Sequence, residues 1–171
     1  NFAPVVDVST NSRDFIYPRT LGQDAEITAE YAAAVTQQLK TGGVGAVLKH
    51  FPGYGSNRDT HTGVVTDVRP REQFESCDLL PFKAGIQAGA SAVLVSHNIV
   101  TCLDGNLPAS LSPAVYELLR EELSFAGVAI TDDLAMDAVE DYARGGSAAV
   151  MALQAGADIV LTDKPEENIA Q

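Results

Sequence analysis

Two pairs of polar residues within residues 48–63 have the types and spacing of catalytic groups. Lys49 and His50 end a short apolar run, and the Pro- and Gly-rich loop that follows supplies Asp59 and His61. A carboxylate that accepts a hydrogen bond from one imidazole nitrogen fixes the tautomer and leaves the other nitrogen available for general acid–base catalysis. An Asp-x-His pair is also typical of an ordinary loop salt bridge. Lys49 and His50 can donate hydrogen bonds to substrate hydroxyl groups, or can be plain surface residues.

A second group of candidates lies outside that loop. Asp132 and Asp133 follow a β-branched run, where one carboxylate can act as a nucleophile or electrostatic stabiliser while the other caps a helix. Arg19 can clamp an anionic or carbonyl group, although a solvated loop arginine fits the same position. His97 is more typical of a structural histidine whose ring nitrogens are both hydrogen-bonded.

Metal and cofactor chemistry receive little support from the sequence. Asp59, His61, His50 and His97 could supply ligands, but their spacing matches no zinc pattern, so we predict neither a metal nor a cofactor. The two cysteines form neither a metal-binding cluster nor a disulfide framework.

Composition narrows the class of protein. The chain has 171 residues, 46% of them apolar, which is enough for one domain with a sizeable core. Its formal net charge of −12 argues against nucleic acid or an anionic membrane as a partner, because both require basic patches. We find no apolar stretch long enough to cross a bilayer and no signal peptide. Because the chain starts at Asn1 inside an apolar segment, we expect a processed product or a fragment.

Five short runs predict parallel strands that are buried on both faces, because they show little polar–apolar alternation. They cover residues 3–8, 44–49, 91–96, 127–131 and 158–162. Several of them are entered through glycine, and polar residues lie at their other ends. Sites in parallel α/β folds form at the carboxyl ends of strands. We therefore expect Asp7, Lys49, His97 and Asp132 to lie together.

Helical patterns alternate with these strands. Asp24 predicts the cap of a helix that carries Ile27, Tyr31, Val35 and Leu39 on one face and stops at Gly42-Gly43. Residues 71–88 predict a helix bent or interrupted at Pro81. Ser112 followed by Pro113 predicts a capped helix start, and a last helix is predicted over residues 146–155.

Several motifs together resemble the family 3 glycoside hydrolases, in particular their β-N-acetylglucosaminidase branch. They are NFAPVVDV, YPRTLG, KHFPGYGSNRDTH, DLLPFKAGIQAGASAVLVSHN, LPASLSP and GVAITDDLAM, in the order and at about the spacing of that family. The resemblance implies Asp132 as the nucleophile, His61 as the general acid/base and Asp59 as its orienting partner. It also implies that Arg19, Lys49 and His50 bind the sugar. Tyr54 departs from the family pattern, which usually has histidine there.

The resemblance further implies a (β/α)8 TIM-type barrel. The match begins mid-barrel, so residues 1–171 are expected to form one domain, the larger C-terminal part of a barrel with about five of its eight β/α units. A whole barrel usually needs about 250 residues. Exposed edge strands would then pair with a missing N-terminal segment or with another copy of the chain.

The activity implied by the resemblance is that of a retaining exo-β-N-acetylglucosaminidase. It would hydrolyse terminal β-linked N-acetylglucosamine in muropeptide or chitin-type fragments through a covalent glycosyl-enzyme. Alternatives within the family are a β-glucosidase or a glycoside phosphorylase, and the alternative outside enzymes is a non-catalytic truncated fragment. A bacterial cytoplasmic location is expected, with secretion or a cell-surface lipoprotein as the alternative.

Overall fold

A four-stranded parallel sheet forms the centre of the computed structural model, which describes residues 3–59, 63–136, 139, 141–142 and 147–163. Its strands lie in the order β1, β3, β5, β6, and their bounds are Val47–Phe51 (β1), Ala92–Val95 (β3), Val128–Asp133 (β5) and Ile159–Leu161 (β6). Every neighbouring pair is parallel. Outside β1, Val5 forms a parallel bridge to Lys49, and the Val6 amide donates to the Lys49 carbonyl at 2.8 Å.

The prediction of parallel strands is therefore confirmed for four segments, and residues 3–8 contribute a single parallel bridge. All four residues of β3 are buried, as expected for a strand covered on both faces. The sequence patterns missed a second small sheet, in which Thr66–Asp67 (β2) pairs in parallel with Ile99–Val100 (β4). Two-residue strands are too short to produce a periodic signal.

Helix α1 spans Ala25–Thr41 and begins as predicted, with the Asp24 side chain accepting from the Ile27 amide at 2.9 Å. Its apolar face, however, is not its buried face. The residues that pack inward are small, whereas Ile27 remains 44% exposed. They are Ala25, Thr28, Ala32 and Thr36. Small side chains let α1 lie close to the helix that precedes β3, and the larger apolar residues are left on the outer side.

The segment predicted to bend at Pro81 is irregular one turn earlier. Helix α2 (Arg71–Gln73) passes through a π-helical turn at Phe74–Asp78 into α3 (Leu79–Gln87). Pro81 itself is buried inside α3. Proline lacks an N–H, and its ring crowds the carbonyl four residues back, which here belongs to Cys77 in the π turn. The wider turn thus accommodates the proline on its N-terminal side.

The remaining helices begin close to their predicted starts. Pro113 opens α4 (Pro113–Glu117), which continues as a π turn over Leu118–Glu122, and α5 spans Ala148–Ala155. The predicted Ser112 cap is wrong in one respect, because its side chain makes no cap hydrogen bond. The Ser112 hydroxyl instead donates to Asp104 at 2.8 Å.

The core lies between the sheet and the helices on its outer side. Its largest fully buried side chains include Phe51, Phe74, Phe82 and Tyr116, and the rings of Phe51 and Phe82 meet edge to face. The edge strand β6 is more open, with Ile159 50% exposed. Among the described residues, no helix has both the length and the apolar character needed to cross a membrane.

Candidate active site

The polar residues at the strand ends gather at one edge of the sheet. Strand β1 carries Lys49 and His50, β3 leads into His97, and β5 ends with Asp132 and Asp133. Because these strands are parallel neighbours, their carboxyl ends lie side by side, which is where α/β folds place their chemistry.

Asp7 lies at the centre of the contacts on the β1 side. It is 1% exposed, and its carboxylate accepts hydrogen bonds from His50 and from the backbone of the following loop. Oδ2 lies 2.7 Å from His50 Nδ1 and 3.1 Å from the His50 amide nitrogen, and Oδ1 accepts from the Tyr54 amide at 2.8 Å. The carboxylate therefore fixes both the ring of His50 and the start of the loop that carries Asp59.

Arg19 joins this group from a short 3₁₀ turn, Tyr17–Arg19. Its Nη2 lies 3.1 Å from Nε2 of His50, so the imidazole bridges the buried carboxylate of Asp7 and an arginine on the surface. The rings of Tyr54 and His50 pack in a T-shaped arrangement, with 5.9 Å between the centroids.

Lys49 faces charges of both signs. Burial lowers the pKa of Lys49, and the neighbouring Arg19 charge lowers it further, while Asp132 and Asp7 oppose both effects. The Lys49 ammonium is thus electrostatically coupled to the carboxylate at the end of β5 as well as to the one near β1. This coupling links the two sides of the strand-end site.

The two adjacent aspartates have different surroundings. Oδ1 of Asp133 accepts from the Ala135 amide at 3.0 Å and from the Asp163 amide at 3.4 Å, so this side chain holds the turn after β5. The Asp132 carboxylate is half-buried and accepts from the Asp133 amide at 3.0 Å. Of the pair, Asp133 is the turn residue, and Asp132 is the one coupled to Lys49.

His97 contacts the end of β5 through a hydrogen bond to its backbone. It is fully buried, and its Nε2 donates to the Asp133 carbonyl at 2.9 Å. A carbonyl oxygen only accepts, so in the neutral ring Nδ1 is the acceptor for the Ser110 hydroxyl, which lies 2.7 Å away. The prediction of a structural histidine is confirmed, because both ring nitrogens are occupied by protein groups.

The loop after β1 is anchored by a second acidic cluster. Arg69 donates to Asp67 through Nε and Nη2 and to Asp78 through Nη1 at 2.8 Å. Its guanidinium also stacks 4.3 Å from the centroid of Phe74. We call Asp67, Arg69 and Asp78 the Arg69 clamp. Asn57 connects the loop to it by donating to Asp67 at 2.9 Å.

Burial sets the electrostatics of the Arg69 clamp. Burial raises the pKa of Asp78 to about 6, although the charge and hydrogen bonds of Arg69 act to lower it. Burial alone would lower the pKa of Arg69, but the hydrogen bonds and charges of Asp67 and Asp78 outweigh it and raise that pKa. The arginine therefore stays charged beneath the loop.

Of the predicted acid–base pair, one residue lies in the described part of the chain. Asp59 is a half-buried residue, and His61 lies outside the described residues. Across the described part of the chain, His, Cys, Asp and Glu side chains form no group of three or more that could hold a metal ion.

Comparison with known proteins places this geometry in a family. The profile of the glycosyl hydrolase family 3 N terminal domain matches residues 1–171. The chain belongs to glycosyl hydrolase family 3. Its parallel strand–helix order is thus part of a TIM-barrel-type α/β fold, as predicted. A β-hexosaminidase from Stenotrophomonas maltophilia is 41% identical over 169 residues, which are 97% of this chain and 50% of that protein.

Solved structures of family 3 members agree. A family 3 β-N-acetylglucosaminidase from Paenibacillus sp. superposes with a TM-score of 0.87 at 36% identity, covering 95% of this chain and 32% of the other. A family 3 glycosyl hydrolase from Mycobacterium smegmatis superposes with a TM-score of 0.83 at 42% identity, covering 96% and 54%. The chain spans about half the length of the curated β-hexosaminidases it matches.

The structure brings together most of the residues that the family resemblance singled out. Arg19 and His50 are in contact, and Lys49 is coupled to Asp132. Sequence reasoning missed the contacts that Asp7 and Arg69 make. Asp7 was visible as a polar residue at a strand end, whereas Arg69 carries no motif and is recognisable only from its contacts.

Proposed function

We propose that the protein is a retaining exo-β-N-acetylglucosaminidase that removes terminal β-linked N-acetylglucosamine from muropeptide or chitin-type fragments. The relatives named β-hexosaminidase and β-N-acetylglucosaminidase support the substrate class. The single observation that supports the choice of nucleophile is that the two adjacent aspartates have different surroundings. Asp133 is held in the turn after β5, and the carboxylate of Asp132 is coupled to Lys49 at the strand-end site.

In this mechanism the reaction has two steps at the anomeric carbon. Asp132 attacks that carbon and forms the glycosyl-enzyme while His61 protonates the departing oxygen. His61 then takes a proton from the water that releases the sugar. Asp59 orients the His61 ring, and Arg19 and Lys49 hydrogen-bond the sugar. His50, whose two ring nitrogens face Asp7 and Arg19, acts on the sugar through Arg19. The proposed mechanism assigns each of these steps to a protein side chain.

The assignment of the nucleophile is tested by comparing two matched variants of the full-length protein. Asp132→Asn should abolish turnover of nitrophenyl β-N-acetylglucosaminide, because an amide cannot form the covalent intermediate. Asp133→Asn keeps a side-chain oxygen for the Ala135 amide and should keep most of the activity. A 2-fluoro sugar should label Asp132 in peptide maps. A label on Asp133, or a dead Asp133→Asn beside an active Asp132→Asn, would overturn the assignment.

The acid/base role of His61 is tested through the leaving group. His61→Ala should slow hydrolysis of a natural disaccharide far more than hydrolysis of a nitrophenyl glycoside, because nitrophenolate departs with little protonation. Asp59→Ala should show the same selectivity to a smaller degree. Equal losses for both substrates would contradict the assignment. If Asp59 and His61 formed only a salt bridge, both variants would change the rate less than about tenfold.

The alternative activities are separated by substrate and acceptor. A β-glucosidase would prefer nitrophenyl β-glucoside, and a phosphorylase would release sugar 1-phosphate when phosphate is present. A histidine acid/base is neutral when deprotonated and repels phosphate less than a carboxylate does, which is why phosphorolysis is worth testing. For a non-catalytic fragment we expect N-acetylglucosamine binding without turnover.

The proposed compartment is the bacterial cytoplasm, where muropeptides from peptidoglycan recycling would be the substrates. Fractionation of cells that express the encoded protein should recover it with cytoplasmic markers. Recovery in the medium or in the membrane fraction would favour the secreted or lipoprotein alternative.

A further inference from the structure

Asp7 has no part in the two-step mechanism, yet its buried carboxylate accepts three hydrogen bonds at the site. A buried carboxylate, a buried imidazole and a surface arginine form a continuous chain there. The links are 2.7 Å from Asp7 Oδ2 to His50 Nδ1 and 3.1 Å from His50 Nε2 to Arg19 Nη2. We call these three residues the Asp7 relay.

The Asp7 carboxylate and the Arg19 guanidinium together determine which ring nitrogen of His50 carries the proton. A guanidinium only donates hydrogen bonds, so Nε2 must be the acceptor in its contact with Arg19. A neutral imidazole that accepts at Nε2 carries its proton on Nδ1, where the carboxylate of Asp7 accepts it. The opposite tautomer would leave two donors facing each other at Arg19. An imidazolium would do the same and add a second positive charge.

Arg19 needs such an anchor because of where it lies. It is an exposed residue on a three-residue turn, and a long arginine side chain there samples many rotamers. An acceptor held from the core selects one of them, and it leaves four of the five guanidinium N–H groups uncommitted to His50. Preorganisation of this kind reduces the entropy lost when a ligand is bound.

We propose that Asp7 is a positioning residue that holds His50 in its Nδ1–H form and thereby fixes the guanidinium of Arg19 for sugar binding. This inference rests on the proposed function only in taking Arg19 as a sugar ligand. A merely structural Asp7 is the competing explanation, because its carboxylate also accepts from the amides of His50 and Tyr54. The two explanations differ in what they predict for the His50 tautomer and for Arg19.

The first test reads the tautomer in the wild-type protein and needs no variant. With ¹⁵N-labelled histidine, long-range proton–nitrogen correlation spectra should show His50 protonated at Nδ1 and unprotonated at Nε2. His50→Asn identifies its signals by their loss. A wild-type His50 protonated at Nε2, or at both nitrogens, would overturn the proposal.

The second test is a double-mutant cycle on the affinity for N-acetylglucosamine, measured by calorimetry. Asp7→Asn can present an amide N–H to Nδ1, which would move the ring proton to Nε2 and remove the acceptor for Arg19. We expect about tenfold weaker binding, the usual size of one charge-assisted hydrogen bond. In an Arg19→Met background the same substitution should have almost no further effect. Independent, additive losses would overturn the relay.

Asp104→Asn is the matched control. The Asp104 carboxylate also accepts two backbone hydrogen bonds, from Asn106 and Leu107, and one from the Ser112 side chain. Its loss should lower stability without changing the His50 tautomer or the affinity for N-acetylglucosamine. If Asp7→Asn does not fold, a His50→Asn and Arg19→Met cycle tests the same coupling, and additivity there also overturns the proposal.

The tests separate this inference from the proposed function. An Nδ1–H tautomer in a protein that neither binds N-acetylglucosamine nor is labelled at Asp132 contradicts the function and leaves the His50 assignment standing. Turnover with labelled Asp132 but an Nε2–H tautomer contradicts only the relay.

Discussion

The Asp7 relay and the Arg69 clamp use the same kinds of side chain in opposite ways. In the clamp, two buried carboxylates hold Arg69 directly, and its side chain is only 18% exposed. In the relay, one buried carboxylate reaches the exposed Arg19 through the His50 ring. The clamp uses most of the guanidinium donors on protein acceptors, whereas the relay uses one nitrogen of Arg19.

This difference indicates how a family 3 site can combine rigidity with binding capacity. A buried arginine that pairs with two carboxylates stabilises a loop. The clamp contacts the loop after β1 at Asn57 and lies close to it at Gly55. An arginine held at one nitrogen keeps its orientation and still presents donors to a ligand. Comparing the two arginines by substitution should therefore separate stability from affinity.

The largest loss of stability should follow Arg69→Met. Without the guanidinium, the buried carboxylates of Asp67 and Asp78 would lose their cationic partner, and breaking a buried ion pair in this way costs about 3–5 kcal/mol. The control is Arg71→Met, because Arg71 also pairs with two carboxylates, Glu75 and Glu122, but at a more exposed position. Its loss should be about 1 kcal/mol or less. Urea unfolding gives both values, and equal losses would contradict a buried clamp.

The pH dependence of Asp78 should produce the next largest effect. Its pKa is raised from 3.8 to about 6 by burial, so between these pH values the folded protein keeps a proton that the unfolded chain has released. Stability from this group is fully present below the lower value and is lost as the pH rises through the higher one. The shift corresponds to up to about 3 kcal/mol.

Asp78→Asn removes this titration and provides the measurement. The unfolding free energy of the wild type minus that of Asp78→Asn should be larger at about pH 4 than at about pH 7. A difference that stays constant, or that grows with pH, would show that the proton is not held at Asp78.

A glycine pair tests whether the Arg69 clamp is rigid. Gly55 has φ of 57°, and a Cβ there would lie 2.5 Å from Arg69 Nη2. Gly43 has φ of 74° with no heavy atom within 4 Å of such a Cβ, so Gly43→Ala carries backbone strain alone, about 1 kcal/mol. Gly55→Ala should cost about 1–2 kcal/mol more, because a guanidinium held by two carboxylates cannot move aside. Equal losses of stability for the two variants would mean that the Arg69 side chain moves aside and that the clamp is not rigid.

The strands and the strand-end grouping could be predicted from sequence because both depend on local pattern. Apolar runs entered through small residues and left through polar ones place Lys49 and Asp132 at one edge once the strands are parallel. The contact between Asp7 and His50 could not be predicted in this way. It depends on residues 3–8 lying beside β1, and strand order is decided by packing rather than by local pattern.

The Arg69 clamp and the buried face of α1 were beyond sequence reasoning for related reasons. Asp67, Arg69 and Asp78 meet only because a π turn separates α2 from α3 and turns Asp78 inward, and nothing in the local charge pattern distinguishes them from surface residues. On α1, periodicity places Ile27 on the predicted buried face of the helix. In the structure α3 lies close to α1, and the small side chain of Ala32 is buried instead. Side-chain volume at a helix contact overrides hydrophobicity there.

The smallest effect on stability should come from Arg19→Met, and it completes the contrast with Arg69. Arg19 is exposed and hydrogen-bonds His50 through one nitrogen, so its loss should change the free energy of unfolding by about 0.5 kcal/mol or less. Affinity for N-acetylglucosamine should nevertheless fall about tenfold or more, because charge-assisted hydrogen bonds to the sugar are lost. Arg13→Met, an exposed arginine in the preceding loop, should change neither quantity. Unfolding and calorimetric titration of the same samples test both halves. A loss of stability comparable to that of Arg69→Met, or unchanged affinity, would remove the distinction between the two arginines.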